Sequence, residues 1–215
     1  MNLALFDFDG TITATDSFVP FIRRAVSPTR QVLGSIILLP LIVSYKFGLV
    51  SATRTRATIV SFGLRGRRED ELRDIGATYA INVLPGTIRP KAIERIEWHK
   101  KQGDDIVIVS AALGIYLEEW CRRINLPVIC TQLESHAGIF TGRYVGGDCT
   151  GQEKTRRILA KYDLTRYKTI YGYGDTSEDD DLLSLANKKF YRWQEISGRV
   201  RSGRRSDHVD QEPNR

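Results

Sequence analysis

LALFDFDGTI, which runs from Leu3 to Ile12, joins an apolar run to two carboxylates, a glycine and a threonine. The run from Leu3 to Phe6 predicts a short buried strand. Because side chains two residues apart in an extended strand point the same way, Asp7 and Asp9 are expected to project together from the end of the strand. A solvated Asp-Gly turn is the plainer interpretation of this stretch alone, so the rest of the chain has to decide between the two.

Four more segments are typical of strands, and helical patterns separate them. The predicted strands span residues 104–110, 126–131 and 167–175, with a last one near Lys188. Strands that alternate with helices predict an α/β fold with a parallel sheet covered on both faces. In such sheets the ligand site lies beyond the carboxyl ends of the strands. The two aspartates stand at such an end.

The region after the first strand has a different pattern. Residues 15–84 carry helical periodicity and no clear strand. We therefore predict a helical cap over residues 15–84 and a core domain built from residues 1–14 and 85–196. Residues 197–215 are rich in Arg, Ser and Gly, which predicts a disordered basic tail. No interleaving of aromatic and basic residues supports a nucleic-acid partner.

The composition is sufficient for a buried core. The chain has 215 residues, a hydrophobic content of 41% and a net charge of +6. Its three cysteines, Cys121, Cys130 and Cys149, lack metal-ligand spacing, and the first strand starts too early for a signal peptide. We expect reduced thiols and a cytoplasmic location.

One part of the cap, residues 32–50, is strongly apolar. Its uninterrupted apolar run is about a dozen residues, whereas a membrane-spanning helix needs roughly 20. Packing in the core of the cap is the interpretation that we favour. Peripheral contact with the inner face of a membrane is the alternative, because flanking basic residues suit an anionic lipid surface. These flanking residues are Arg23, Arg24, Arg30, Lys46, Arg54 and Arg56.

Two close carboxylates suit phosphoryl transfer. A carboxylate can attack phosphorus to give an aspartyl-phosphate. A second, protonated carboxyl can give its proton to the leaving group and then take one from water. Gly10 lets the backbone turn and approach a phosphate closely. The first strand thus supplies a candidate nucleophile and a candidate acid and base.

The ends of the other elements carry matching groups. Ser110 closes the second predicted strand, Lys154 stands in the first turn of a predicted helix, and Asp175 ends a later strand. Each of them has an ordinary structural explanation when taken alone. The acidic residues at 178–181 follow Asp175. Carboxylates at such short spacing repel one another unless a cation lies among them.

Together these segments resemble the four motifs of the haloacid-dehalogenase-like phosphatases. The motifs are Asp-Phe-Asp-Gly-Thr at 7–11, Ser110 at a strand end, Lys154, and Gly-Asp-x-x-x-Asp at 174–179. They occur in the order of the family. The resemblance implies a Rossmann-like core, and the helical cap inserted after the first strand is similar to subclass IB, which contains the phosphoserine phosphatases.

The resemblance implies a metal site and the reacting groups. Asp7 would be the nucleophile and a Mg²⁺ ligand. Asp9 would be the general acid and base, with its backbone carbonyl on the metal. Asp175 would complete the metal site, and Asp179 would support it from nearby.

The same resemblance implies the phosphate-binding groups. Thr11 and Ser110 would hold the transferring phosphoryl oxygens, and Lys154 would neutralise the phosphoryl group. Because phosphoryl transfer depends mostly on positioning and on charge stabilisation, these residue types suit the chemistry. We therefore expect a Mg²⁺-dependent phosphatase that hydrolyses a phosphomonoester through an aspartyl-phosphate.

The substrate stays open. We expect a small phosphorylated molecule. Ala111 and Ala112 stand where the phosphoserine phosphatases have a glycine pair, and Asp16 stands where they have a glutamate. Arg56 falls roughly where they keep an arginine for the substrate carboxylate.

Two further hypotheses remain. The apolar cap segment resembles bacterial relatives that include phosphatidylglycerophosphatase C, which implies a lipid-phosphate phosphatase at a membrane surface. A non-catalytic, phosphate-binding regulatory module belongs to another class of function. The chain retains Asp9 and Lys154, one of which an inactive relative commonly loses.

Overall fold

Strand β1 (Leu3–Phe6) is the central strand of the computed structural model, which describes residues 1–198. All four of its residues are buried, because neighbouring strands lie on both sides and helices cover both faces. Leu3 and Leu5 join one core cluster, whereas Ala4 and Phe6 join the other. This alternation is the two-residue period of a strand with two buried faces.

Helices and further strands follow β1 along the chain. The elements are α1 (Phe18–Ala25), α2 (Pro28–Ile37), α3 (Leu39–Lys46), α4 (Ala52–Leu64), α5 (Glu69–Asn82), α6 (Pro90–Gln102), β2 (Asp105–Leu113), α7 (Gly114–Arg123), β3 (Val128–His136), β4 (Ile139–Val145), α8 (Gln152–Lys161), β5 (Ile170–Gly174), α9 (Asp180–Ser184), β6 (Lys188–Tyr191) and β7 (Gln194–Ile196). Short 3₁₀ turns lie at Leu84–Thr87, Leu164–Arg166 and Ser177–Asp179.

The strands form one seven-stranded sheet in the order β4-β3-β2-β1-β5-β6-β7. The five inner strands are parallel, and β4 and β7 pair antiparallel at the two edges. The predicted α/β class with a Rossmann-like parallel sheet is therefore confirmed. The carboxyl ends of β1 and β5 meet at one edge of the sheet, since Phe6 lies opposite Tyr173.

The prediction that Ser110 closes its strand is wrong. β2 continues to Leu113, and its pairing with β3 is irregular between Ser110 and Leu113. The pairing resumes after this irregularity, because Leu113 lies opposite Thr131 of β3. β3 also extends past the predicted Thr131, to His136, and that part pairs with β4. Ser110 thus lies at a bulge within the strand.

Five helices, α1 to α5, lie between β1 and the turn at Leu84–Thr87. This is the helical insertion after the first strand that the sequence predicts. An aromatic cluster of Phe21, Tyr79 and Tyr116 joins the insertion to the core, with ring centroids 4.7 to 5.5 Å apart. Such rings bury large apolar areas, so this contact fixes α1 and α5 against α7.

The expectation that residues 32–50 pack in the core of the cap is wrong for most of their large side chains. α2 and α3 pack on each other and on α4 with one face only. Apolar side chains occupy the remaining face as well, and they are exposed because no further element of the described chain covers it. The exposed residues are Val32, Leu33, Ile36, Ile37, Leu39, Val43, Phe47 and Leu49.

No single helix within residues 1–198 has the length and apolar composition to cross a membrane. α2 and α3 meet that composition only as a pair, and the pair is bent by 56°. The predicted disordered tail at 197–215 lies outside the described residues from position 199 onwards.

Candidate active site

The chain turns sharply at the carboxyl end of β1. The backbone N–H of Asp7 donates to the carbonyl of Tyr173 at 2.9 Å, which continues the pairing with β5. Gly10 follows with φ +82°, and a Cβ at Gly10 would lie 2.2 Å from Oδ2 of Asp175. Only glycine combines this backbone conformation with so close an approach. The turn therefore brings β1 and the end of β5 into contact.

Lys154 links two of the predicted site carboxylates. Its Nζ lies 2.6 Å from Oδ1 of Asp7 and 2.6 Å from Oδ1 of Asp179, and all three side chains are buried. Burial alone would lower the pKa of Lys154, but the two carboxylates raise it above its ordinary value. The residue is therefore a permanent cation beneath the end of β1.

Three carboxylates share one small volume. Asp7, Asp175 and Asp179 each place an oxygen within 4.8 Å of the others. Burial raises the pKa of Asp7, and the nearby charge of Asp179 raises it further. Burial, followed by the charge of Asp179, raises the pKa of Asp175 to about 6. The single positive charge of Lys154 does not balance the negative charges of three ionised carboxylates. The charge of the cluster therefore favours binding of a further cation.

The chemistry of these donors fits a hard cation. The cluster consists of carboxylate oxygens, which Mg²⁺ prefers over nitrogen or sulfur. The side chain of Asp9 lies outside this group among the described residues. Of the residues that the resemblance assigned to Mg²⁺, Asp7 and Asp175 therefore lie together, and Asp179 belongs to the same side-chain cluster.

Backbone groups fix Asp179 in place. Its Oδ2 accepts hydrogen bonds from the backbone N–H groups of Asp175 and Thr176, at 3.1 and 3.2 Å. A Cβ at Gly174 would lie 2.6 Å from Cβ of Asp179, so a glycine is required where β5 ends. The spacing Gly-Asp-x-x-x-Asp thus folds the second aspartate back over the first.

Asp9 lies beside the cluster in a separate network. Its Oδ1 accepts from the backbone N–H of Ser17 at 2.9 Å. The hydroxyls of Ser17 and Tyr116 share a hydrogen bond of 2.9 Å, and the hydroxyl of Tyr79 donates to the carbonyl of Ser17 at 2.9 Å. Burial, followed by the charge of Asp16, raises the pKa of Asp9 to about 7. A carboxyl with that pKa holds a proton near neutral pH.

The two predicted phosphate-binding hydroxyls are buried at the same end of the sheet. Oγ1 of Thr11 donates to Oδ1 of Asp175 at 3.4 Å. Oγ of Ser110 accepts from the backbone N–H of Ala112 at 3.1 Å. Thr11 thus touches the carboxylate cluster directly, whereas Ser110 is held by its own bulge in β2.

An ion pair that the sequence did not predict joins the cap region to the core. Nε of Arg56, on α4, donates to Oδ2 of Asp148 at 3.0 Å, and Arg56 also pairs with Glu178 at 3.4 Å. Asp148 is buried and accepts a second bond from Thr131 at 2.9 Å. The guanidinium that the resemblance connected with a substrate carboxylate is thus occupied by two core carboxylates.

No sequence signal pointed to Asp148, Ser17 or Tyr116. Asp148 follows two glycines in a loop, and Tyr116 sits on the buried face of α7 like an ordinary core residue. The partner of each is distant in the chain, 92 residues for Asp148 and Arg56 and 99 for Ser17 and Tyr116. Local periodicity carries no information at such separations.

An open cleft of about 770 Å³ lies between the helices of the cap region. Asp16 and Arg56 line it together with apolar side chains of α1, α2, α3 and α4, among them Val19, Leu38 and Ile42. The cleft therefore combines charged groups with an apolar wall, and the charge of its lining residue Asp16 acts on Asp9.

Comparison with known proteins gives several matches. The profile of the haloacid dehalogenase-like hydrolases matches residues 4–184. Protein CicA of Caulobacter vibrioides is 29% identical over 192 residues, which are 88% of this chain and 85% of CicA. Phosphoserine phosphatase SerB1 of Mycobacterium tuberculosis is 30% identical over 85% of this chain and 61% of its own length. A crystal structure of a protein of unknown function from Bordetella pertussis superposes with a TM-score of 0.75 at 21% identity, over 88% of this chain and 89% of that one.

The profile match covers most of the chain and includes the carboxylates, the lysine and the serine described above. The resemblance inferred from the four motifs is thereby confirmed. The chain belongs to the haloacid dehalogenase-like hydrolase family.

Proposed function

We propose that this chain, a phosphatase of its family, hydrolyses a phosphomonoester in two steps through an aspartyl-phosphate on Asp7. The observation that carries the proposal is the buried bridge from Lys154 to Asp7 and Asp179, at 2.6 Å on each side. It places one carboxylate at the end of β1 next to a permanent cation. Such a site stabilises the negative charge that a phosphoryl group brings.

In the first step a carboxylate oxygen of Asp7 attacks phosphorus, and the bond from phosphorus to the leaving alcohol breaks. Lys154 pairs with Oδ1, so Oδ2 is the oxygen that is available to attack. Asp9 gives its proton to the leaving oxygen. Its pKa of about 7 leaves much of it protonated near neutral pH, as a general acid requires.

In the second step water attacks the phosphorus of the aspartyl-phosphate and restores the carboxylate of Asp7. Asp9, now ionised, takes a proton from that water. The backbone N–H of Ser17 holds one oxygen of Asp9, which keeps the carboxyl on the side of the leaving group. Lys154, Thr11 and Ser110 bind the phosphoryl oxygens, with Lys154 supplying the charge.

We propose Mg²⁺ as the cation of the carboxylate cluster. Asp7 and Asp175 would hold it, with Asp179 beside them and the backbone carbonyl of Asp9 as a further ligand. When bound, Mg²⁺ supplies positive charge to the transferring phosphoryl group. The donor set consists of oxygen atoms and carries more negative charge than Lys154 can balance.

We further propose that residues 15–84 act as the cap over a core of residues 1–14 and 85–196. The cap residue Arg56, which lines the cleft, forms an ion pair with the core residue Asp148. A cap that closes over an aspartyl-phosphate excludes water other than the attacking molecule. Substrate contacts then come from the cap.

The experiment is a release assay over a panel of phosphomonoesters, including phosphoserine, with and without Mg²⁺. We expect release of inorganic phosphate that needs Mg²⁺ and is lost in the Asp7→Asn variant. Full activity after exhaustive removal of divalent cations would contradict the Mg²⁺ assignment. Phosphate binding without turnover of any panel member would favour the non-catalytic regulatory module instead.

A lipid phosphate is the second candidate substrate, and the cleft favours it. The acyl chain of a lipid phosphate would lie in the cleft between α1 and the pair α2 and α3, along Val19, Leu38 and Ile42. Asp16, which lines the same cleft and acts on Asp9 by its charge, connects it with the candidate site. Apolar burial of this kind adds about 0.8 kcal/mol per CH₂ group. The test is a comparison of kcat/KM for phosphomonoesters of increasing acyl length. A value that does not rise with chain length removes this candidate.

A further inference from the structure

The outer face of α2 and α3 has no cover in the described part of the chain. Ile36 is 67% exposed and Phe47 is 78% exposed. We infer that this surface docks on an anionic lipid bilayer. We call it the α2–α3 face, and it consists of Val32, Leu33, Ile36, Ile37, Leu39, Val43, Phe47 and Leu49.

The exposed side chains of α2 lie together on one side of that helix. Val32, Leu33, Ile36 and Ile37 lie at spacings of one and four residues, so they share one side of α2. The opposite side holds Gly34, where an added Cβ would lie 2.8 Å from the ring of Phe62 on α4. The helix therefore cannot rotate to bury its outer face. Contiguous exposed apolar surface of this kind marks an interaction site.

The charge around the patch has one sign. Residues 17–68 contain nine Lys or Arg and no Asp or Glu, whereas the net charge of the whole chain is +6. Positive charge is therefore concentrated in the cap. Arg23, Arg24, Lys46 and Arg54 are exposed and take part in no ion pair within residues 1–198. Exposed cations without an acidic partner, next to an apolar face, complement anionic lipid head groups.

The same charge argues against a second copy of this chain as the partner. A twofold contact through the α2–α3 face would bring two such cationic segments together, since the same patch meets itself. Like charges repel across such an interface, and residues 17–68 contain no acid to pair with them. An anionic lipid bilayer complements both the positive charge and the apolar side chains of the face, because its surface is negatively charged and its interior is apolar.

The dimensions of the two helices indicate an interfacial position. α2 has ten residues and α3 has eight, which correspond to lengths of about 15 and 12 Å. The hydrocarbon core of a bilayer is about 30 Å thick, and the pair is bent by 56°. Helices of this kind lie in the plane of the interface with their apolar face down.

Docking goes beyond the proposed catalysis and does not depend on it. The residues of the α2–α3 face do not line the cleft beside Asp16. The inference therefore holds for a small substrate and for a lipid phosphate alike. A binding assay tests it without reference to turnover.

The experiment is co-sedimentation of the full chain with vesicles of phosphatidylcholine, with and without phosphatidylglycerol. We expect binding that requires phosphatidylglycerol and weakens with added salt, because salt screens the cations. Ile36→Ser, Ile37→Ser and Phe47→Ser combined should abolish it. Lys46→Gln with Arg54→Gln should lower the partition coefficient about tenfold or more, since each basic residue contributes about fivefold near an anionic surface.

Matched controls separate docking from other effects. Val145 and Leu159 are 55% and 54% exposed on the core, so Val145→Ser with Leu159→Ser should bind as the unchanged protein does. Circular dichroism and hydrolysis of a small soluble phosphomonoester report whether each variant is folded. Should the apolar variant fail to fold, vesicle binding by the Lys46→Gln and Arg54→Gln variant tests the inference instead. Absence of vesicle binding by the unchanged protein overturns the inference. A dimer that the apolar variant dissociates, without vesicle binding, assigns the face to a second copy.

Discussion

Asp9 is the residue whose protonation state carries the proposed chemistry. Burial, followed by the charge of Asp16, raises its pKa to about 7. Asp9→Asn keeps the shape of the side chain and its hydrogen bond to Ser17, but it removes the transferable proton. We expect kcat to fall by about 10²–10⁴-fold while inorganic phosphate still binds. Steady-state kinetics and phosphate titration by calorimetry measure the two effects.

Asp7→Asn is the companion variant and should have no measurable turnover, because an amide does not attack phosphorus. It also leaves Lys154 with one carboxylate partner, so its thermal stability has to be compared with that of Asp9→Asn. Turnover by the folded Asp7→Asn protein at the unchanged rate would remove Asp7 as the nucleophile.

Gly10 tests how the turn positions the carboxylates. A Cβ there would lie 2.2 Å from Asp175 at φ +82°, so Gly10→Ala has to displace the end of β5. Gly48→Ala is the matched control, since Gly48 has φ +74° and open space around it. Both variants should lose about 1–2 kcal/mol from left-handed strain. Only Gly10→Ala should also lose activity, in an assay at saturating substrate. Equal activity in the two variants would show that the close approach does not matter.

At the scale of elements, the ends of β1 and β5 form a site whose charge depends on pH. The pKa of Asp175 is raised to about 6 by burial and then by Asp179. A raised carboxyl pKa means that the folded state holds its proton longer than the unfolded state. The stability that this group contributes is therefore present at low pH and is lost as pH rises through about 6.

Mg²⁺ should reverse that loss, because it binds the ionised carboxylates of the folded state. We expect the rise in melting temperature on adding Mg²⁺ to be larger at about pH 8 than at about pH 5. Taking the difference with and without Mg²⁺ cancels the opposite contribution of His99, whose pKa burial lowers. Asp175→Asn should remove most of the rise, as measured by differential scanning calorimetry. A rise that is the same at both pH values would contradict the cluster as the cation site.

The elements also show which structural information a sequence carries. β1 was predicted with its observed bounds, since four apolar residues before two acids leave little choice. The length of β2 was not predicted correctly, because its last residues follow a bulge and pair with β3 through a register shift. The exposure of α3 was missed for a related reason. Apolar residues on all its sides are typical of a buried helix, and only the tertiary arrangement reveals that one side is uncovered.

At the scale of the whole molecule, Arg56 connects the cap region to the core. It is 21% exposed and pairs with the buried Asp148. Arg56→Gln leaves that carboxylate without its cation, which should lower the free energy of unfolding by about 1–3 kcal/mol, less than for a fully buried pair. Arg54→Gln is the control, since Arg54 is exposed on the same helix, and it should change stability by less than about 0.5 kcal/mol. Urea denaturation measures both.

A double-mutant cycle with Asp148→Asn separates the ion pair from other effects of the substitution. The loss in the double variant should be smaller than the sum of the two single losses, because both remove the same interaction. Strict additivity would mean that the pair does not hold the two regions together.

The carboxylates of the candidate site were predictable because they follow strands, and parallel strands end at one edge of a sheet. The role of Lys154, which lies on α8, was expected from the family resemblance. Asp7, Thr11, Lys154, Asp175 and Asp179 are in direct hydrogen-bond or ion-pair contact, although the chain separates Asp7 from Lys154 by 147 residues. No comparable rule predicts the contacts between the cap and the core. These contacts, such as Arg56 with Asp148, depend on how two irregular surfaces meet, and the preferred substrate depends on that surface.

The central claim, a covalent aspartyl-phosphate on Asp7, has a direct test. The Asp9→Asn variant is expected to release the intermediate slowly. It is mixed with an aryl phosphate, whose leaving group needs no proton in the first step, and quenched with sodium borohydride, which reduces an acyl-phosphate to an alcohol. Peptide mass spectrometry then identifies the modified residue. We predict homoserine at position 7 and nowhere else. Turnover of the same substrate with an unmodified Asp7, or with the modification at another residue, would contradict the account.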